Sequence, residues 1–276
     1  MNLNISILIR TYNSAGTLRE VLARLALVMG DEIIVVDSGS TDDTLSIATA
    51  QNARILRTKP PFNYSKSLNV GFQAAKNPWV LVISSHCVPY ANNLMATFRA
   101  AAQKFPAAVG VAYGVCSLVK PPPDWDLAVR VIDQTAGWEE RKKVYGGNSL
   151  AIYRRDCWRA QPFDEALPTG EDLAWLLRAL DKGVQAAIVP AAWALYRNQG
   201  NLRHMFQKGW RESQMAIELF GSPPMNLWQL TINLGSLLKK TILAEIPLAT
   251  LLRQSVHALG AYLSPKFSAG PRRTQK

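Results

Sequence analysis

The chain has little charge for its length and few cysteines. Asp, Glu, Lys and Arg make up only 18% of its 276 residues. No long acidic or Ser/Gly-rich tract interrupts it, which excludes an extended disordered protein. Cys87, Cys116 and Cys157 are too few, too scattered and odd in number for a disulfide framework or a metal cluster. No repeat recurs at a fixed period, so a solenoid or propeller is not expected. No run of about 18 residues is free of charges and breakers, because Glu245 and Pro247 interrupt the most apolar late stretch. The N-terminus enters a strand pattern directly, without a secretory leader. The expectation is a cytoplasmic protein that can rest on the inner face of a membrane but does not cross it.

What is present is enough apolar material for a sizeable core: 48% of residues are hydrophobic. The net charge of +11 implies an anionic partner or a basic, solvated surface. Nucleic acid, an anionic membrane and a phosphorylated small molecule are the partners to weigh. The cations are dispersed apart from Lys142-Lys143, Arg154-Arg155, Lys239-Lys240 and Arg272-Arg273, and no zinc-finger or aromatic RNA-binding pattern accompanies them. Nucleic acid is therefore not expected.

The first half alternates strand and helix. Ile5–Ile9 and Ile33–Val36 are unbroken buried-strand runs, a third strand lies near Ile55, and Trp79–Ile83 is another. Leu18, Val21, Leu22 and Leu25 recur at helical spacing between the first two, and further helices are read at Ser65–Ala75 and from about Asn92 to Phe105. Such alternation predicts a mainly parallel sheet with helices on both faces, with ligands collecting beyond the carboxyl ends of its strands. Thr11, Asp37 and Ser84–His86 fall at those ends. Cys116 to Gly147, with three prolines at Pro121–Pro123, reads as an irregular surface loop. Order returns at Asn148–Tyr153. Thr169-Gly170-Glu171-Asp172 then opens a helix that Gly183 can stop. Past Asn198 the chain reads as helical, with stripes at Leu227, Leu230, Leu234, Leu237 and Leu238, and at Leu248, Leu251, Leu252, Leu259 and Leu263. The predicted organisation is 1–198 as the α/β domain, 199–264 as a helical extension and 265–276 as a basic, disordered tail.

Six segments, in order, carry a resemblance: Ile7–Asn13, Glu32–Thr44 (EIIVVDSGSTDDT), Phe62–Gly71 (FNYSKSLNVG), Ser84–Pro89 (SSHCVP), Gly147–Trp158 (GNSLAIYRRDCW) and Gly170–Trp175 (GEDLAW). Together they resemble the family 2 glycosyltransferases, which have the GT-A, Rossmann-like nucleotide-diphospho-sugar transferase fold. The Arg10-Thr11 opening and the FNYSKSLNVG segment are similar to a rhamnosyltransferase-like branch. That implies a dTDP- or UDP-sugar donor, rhamnose among them, and a glycan or lipid-linked acceptor in cell-surface polysaccharide or glycolipid synthesis.

The resemblance places Thr11, Tyr12, Asn13, Asp37, Ser38, Lys66, Asn69, Ser84, Ser85 and His86 around the donor. Asp37 would accept from the pyrimidine base, or else merely cap its own turn. Asp172 would be the base that takes the acceptor's proton in an inverting displacement, with Glu171 orienting the acceptor or pairing with a cation. A helix N-terminus favours its ionised form, though the same residues also read as a helix cap. Asn148 would line the sugar or acceptor pocket. Many GT-A enzymes carry Asp-x-Asp where this chain has Ser84-Ser85-His86, so the ligands for Mg²⁺ or Mn²⁺ are missing and His86 is a poor substitute for them. No His stands in Leu195-Tyr196-Arg197-Asn198 either. Arg197 and Arg10, with Lys66 or His86, are therefore expected to stabilise the leaving diphosphate. Ser-x-His-Cys is similar to a variant of this branch; the bland alternative is a packed histidine in an inactive nucleotide-sugar-binding or scaffold protein. A nucleotidyltransferase would need acidic metal ligands and a Gly-rich phosphate loop, and neither is present.

Overall fold

A computed structural model describes residues 3–167, 169–197, 202–220, 225–242 and 248–267. The chain divides into two compact units, Met1–Asn198 and Gln199–Lys276. The first unit opens as β1 (Ile5–Thr11), α1 (Ala15–Ala23), β2 (Glu32–Asp37), α2 (Thr44–Ala50), β3 (Arg54–Arg57), α3 (Tyr64–Ala74) and β4 (Trp79–Ser84). It continues as β5 (Cys87–Pro89), α4 (Leu94–Ala102), β6 (Val109–Ser117), β7 (Arg130–Ile132), α5 (Trp138–Val144), β8 (Leu150–Arg154), α6 (Arg155–Ala160), α7 (Glu171–Asp181) and β9 (Gln185–Tyr196). The nine strands form one sheet in the order β3-β2-β1-β4-β8-β6-β9-β5, with β7 paired to β9.

Alternation along the strands explains the two-faced core. Ile5, Ile7 and Ile9 of β1 join Ile33, Val35, Leu81 and Ile83 in a layer that includes Leu18, Val21, Ile47 and Phe98 from α1, α2 and α4. Leu8, Ile34, Val36, Val80 and Val82 point the other way, onto Leu68, Phe72, Trp158, Trp175 and Leu180 of α3, α6 and α7. The α/β expectation holds, but the sheet is mixed. β3, β2, β1 and β4 run parallel, whereas β8 inserts antiparallel beside β4 and β6. This inversion sets the site, because β8 starts where β4 ends: Leu150 lies opposite Ile83.

The segment read as an irregular loop is partly ordered. β6 reaches Ser117, β7 is a three-residue edge strand, and α5 has the sequence WEERKKV. Neither β7 nor α5 carries a periodic apolar face, since each borrows its burial from β9. Gly183 adopts φ 79°, as a helix stop requires.

The second unit holds α8 (Leu202–Phe220), α9 (Leu227–Ile242) and α10 (Leu248–Phe267). α8 and α10 cross where Gly209 and Gly260 admit each other's backbone; a Cβ on Gly209 would sit 2.0 Å from the His257 carbonyl oxygen. The leucine stripes are only partly inward. Leu230 is buried, but Leu238, Leu252 and Leu259 are exposed. Leu251 is only partly buried, and its neighbour Leu252 faces solvent. α10 extends to Phe267, past the expected boundary at 264. The tail from 268 to 276 lies outside the described residues, as does Asn198, the predicted domain edge.

Gly114 shows how tightly the added strands pack. A Cβ there would lie 2.6 Å from the Ala192 carbonyl oxygen of β9 and 2.5 Å from Leu150 Cδ2. Gly114→Ala should therefore lower stability by about 1–3 kcal/mol in urea unfolding. An unchanged midpoint would mean that β6 and β9 separate freely.

Candidate active site

Five segments bring their polar ends to the carboxyl edge of β1, β2 and β4. Thr11 lies in register with Asp37, and Arg10 with both Val36 and Ser84. At this edge Asp37 is fully buried and anchors a turn. Its Oδ1 accepts from Thr11 Oγ1 (3.1 Å) and Ser40 Oγ (2.5 Å), and its Oδ2 from the backbone N–H groups of Gly39 (2.9 Å) and Ser40 (3.0 Å). Burial opposes ionisation, but donation from Ser40, Gly39 and Thr11 outweighs it and holds the carboxyl below its ordinary range. Four donors match the acceptor capacity of a carboxylate. Turn capping is thus the role the geometry displays, and a base could reach Asp37 only if Ser40 or Thr11 gave up its bond.

The loop after β1 is tied to this turn. Asn13, at φ 45°, donates its N–H to Ser40 Oγ (2.9 Å) and accepts from the Thr41 N–H (2.8 Å), while Ser38 N–H donates to the Thr11 carbonyl (3.1 Å). Tyr12 projects into solvent. Asp42 serves helix starts, accepting from Ala15 N–H and Thr44. Ser84 and Ser85 are buried at the end of β4, and Ser85 Oγ lies 2.8 Å from Ser14 Oγ. His86 is half-buried with its ring edge-on to Tyr196 (4.7 Å), and its carbonyl accepts from the N–H of the exposed Arg197 (2.7 Å). Cys87 is packed against Cys116 with sulfurs 2.9 Å apart, and burial pushes its thiol up.

The second acidic centre opens α7. Gly170, at φ 75°, caps the helix, Glu171 is buried and Asp172 is half-buried. Asp172 Oδ2 accepts from the Asn148 N–H (2.9 Å), and the Tyr145 phenol also bonds to Asp172. Gly147, at φ 71°, permits this approach: a Cβ there would come within 3.2 Å of Asp172 Oδ2. The Asn148 amide donates to Glu171 Oε1 (3.4 Å) and accepts from Tyr153 (2.7 Å). Glu171 Oε1 stands 3.8 Å from Arg10 Nη1, and the Arg10 guanidinium lies 5.2 Å from the centre of the Tyr64 ring. Burial and then Asp172 raise the Glu171 carboxyl from 4.5 to about 7, against the opposing pull of Arg10.

Two contact groups therefore meet at one sheet edge, Thr11 with Asp37 and Arg10 with Glu171, Asp172 and Asn148; they are linked through consecutive residues of β1 whose side chains take opposite faces, with Ser84 in register beside Arg10. Asn69 belongs elsewhere. It accepts from Trp158 Nε1 and Phe163 N–H and donates to the Phe163 carbonyl and Glu165, so it stitches α3 to the chain after α6. Lys66 is exposed on α3. Tyr64, Tyr145 and Tyr153 were not singled out from sequence; the Gly146-Gly147 pair beside Tyr145 was the available signal of close backbone approach.

The residues do not fit a protein-held divalent cation. Two serines and one imidazole occupy the position, and the described residues contain no group of three His, Cys, Asp or Glu able to hold a metal.

Between pH 4.5 and about 7 the folded chain retains a proton on Glu171 that the unfolded chain releases. Stability contributed by that carboxyl therefore falls across this window and is lowest above it. Urea unfolding of Glu171→Gln beside the wild type should show the variant gaining on the order of 3 kcal/mol relative to wild type as pH rises through the window, then levelling. A flat difference would show a carboxyl that titrates normally.

Comparison with known proteins adds four results. The family model described as glycosyl transferase family 2 matches residues 6–158. A mannosyltransferase from Pyrobaculum calidifontis, solved with GDP-mannose and Mn²⁺, superposes with a TM-score of 0.64 at 16% identity, covering 96% of this chain and 88% of that one. Glucosyl-3-phosphoglycerate synthase from Mycobacterium tuberculosis, solved with phosphoglyceric acid, gives 0.60 at 20% identity over 80% and 81% of the two chains. At these identities the likeness is one of fold, and it is the expected GT-A architecture. The chain is also 40% identical over 55 residues to a TPR repeat-containing protein of Synechococcus elongatus, a match covering 20% of this chain and only 14% of the relative's length.

Proposed function

Because the chain belongs to glycosyl transferase family 2, we propose that it moves a sugar from a nucleotide diphosphate donor to an acceptor hydroxyl by a single inverting displacement. The supporting observation is the continuity of the edge: Thr11 bonds Asp37, and its neighbour Arg10 pairs with Glu171, which adjoins Asp172. The base of the nucleotide lies in the pocket shaped by Thr11, Asn13 and the Asp37–Ser40 turn. The acceptor oxygen attacks the anomeric carbon from the face opposite the diphosphate, and its proton passes to Asp172. Asn148 N–H and Tyr145 hold that carboxylate in place. Arg10 meets the departing diphosphate, with His86 and Arg197 at the mouth of the site.

The donor on this reading is a dTDP- or UDP-sugar, rhamnose among the candidates, and the acceptor a glycan or a lipid-linked glycan at the cytoplasmic face. The second unit supplies a matching surface, with Ile232, Leu238 and Leu252 exposed on helices that also carry Lys239 and Arg253. Such a face suits peripheral contact with anionic lipid.

A panel of nucleotide sugars, read by release of free nucleoside diphosphate, tests the activity. Asp172→Asn should lower turnover by about 10²-fold or more while donor affinity stays within a few-fold. Binding without turnover in the wild type would leave only a nucleotide-sugar-binding protein. With fixed cations at the leaving group, transfer should also persist in excess EDTA; its abolition, with rescue by Mn²⁺, would overturn the role given to Arg10.

A further inference from the structure

Arg10 is held in a costly state. Its side chain is only 14% exposed, and Nε and Nη1 are buried without a hydrogen-bond acceptor among the described residues. The ion pair to Glu171 is long at 3.8 Å and makes no hydrogen bond, and the other neighbour is the face of Tyr64. A guanidinium cannot shed its proton, so its buried donors need an acceptor. Its register partner across β1 and β4 is Ser84, at the end of β4. The unmet donors therefore belong at the same edge as the donor pocket.

Glu171 is the counterpart. Four groups face it: Asp172 from its own helix, Arg10 from β1, and Asn148 and Tyr145 from the chain leading into β8. Arg10 is the one cation among them. Asp172 repels the charged form, Tyr145 is a neutral phenol, and Asn148 reaches Glu171 only at 3.4 Å. The ionised state of this buried carboxyl thus depends on where one guanidinium points.

Resting on the donor reading above, we infer that Arg10 exchanges Glu171 for the donor's diphosphate, and that the carboxylate it leaves takes up a proton from solvent as the nucleotide binds. The balance is simple. One Arg–carboxylate pair is replaced by an Arg–phosphate pair, one proton moves from water to a Glu171 oxygen, and no bond is oxidised or reduced. Donor entry then delivers a neutral Glu171 beside Asp172. The carboxyl that loses its guanidinium is silenced, and Asp172 stays held by Asn148 and Tyr145.

Isothermal titration with UDP, dTDP and GDP, each in two buffers of different ionisation enthalpy, measures the proton directly. At pH 7.5 the wild type should take up roughly half a proton or more per nucleotide bound, falling away towards pH 6, where Glu171 is already protonated. Its affinity should weaken by up to about tenfold per pH unit above neutrality. The terminal phosphate titrates near pH 6 as well, so the comparison with Glu171→Gln is decisive. That variant should lose the extra uptake and bind more tightly than wild type at pH 8, the two converging at pH 6. Arg10→Gln should bind weakly with reduced uptake, because its Glu171 starts protonated. Equal uptake in wild type and Glu171→Gln overturns the exchange, as does full uptake in a folded Arg10→Gln. Should Arg10→Gln not fold, the wild-type and Glu171→Gln pair still decides. Failure of all three nucleotides to bind would instead sink the donor reading and this inference with it.

Discussion

A carboxylate cannot sit out of water beside another carboxylate unless something holds the pair together, and at the start of α7 that something is Arg10. Glu171 is buried and Asp172 follows it directly, so burial and then the neighbouring carboxylate both oppose the Glu171 charge. The positive end of the α7 dipole and the Asn148 amide give partial relief. The full positive charge comes from β1. Much local geometry follows from this need. The penultimate residue of β1 must be an arginine that turns towards α7, and residue 147 must lack a side chain so that the Asn148 N–H can reach Asp172.

Asp37 shows the opposite solution on the same edge. It is fully buried, yet its carboxyl is held low rather than raised. The difference lies in donors: Thr11, Gly39 and Ser40 supply four hydrogen bonds to Asp37, whereas Glu171 receives only a weak bond from Asn148, one from its own backbone N–H and a distant guanidinium. One acid is fixed in charge and fixes a turn. The other is poised between states. Environments that push acids of one site apart in this way divide structural from proton-handling roles.

The local part of this design was legible in the sequence. Unbroken runs such as Ile33–Val36 marked buried strands, and the turn chemistry of Ser38 to Asp43 placed Asp37 at a strand end, because both signals act over a few residues. The Gly170-Glu171-Asp172 helix start was equally plain. What could not be read depends on partners distant in the chain. β7 and α5 lack a face of their own and form against β9. Lys66 and Asn69 do lie three apart on α3, but spacing could not say what they face, and Asn69 is taken up by Trp158, Phe163 and Glu165. Tyr145 bonds to Asp172 from a segment whose prolines and charges read as open loop. The leucine stripes mark amphipathic helices, but periodicity could not say which leucines a partner covers, and Leu238, Leu252 and Leu259 lie open.

Ser84, Ser85 and His86 bring no carboxylate to the end of β4, and this shapes the electrostatics of the edge. Two carboxylates there would add negative charge beside Glu171 and Asp172, and only a divalent cation could offset it. With serines there instead, a single buried arginine suffices, on the proposed reading, to serve Glu171 at rest and an incoming diphosphate afterwards. The orphaned Nε and Nη1 of Arg10 fit that double duty, since they are donors that the long pair to Glu171 leaves unmet. A site of this kind draws its cation from the fold, and the state of one carboxyl records whether the anion has arrived.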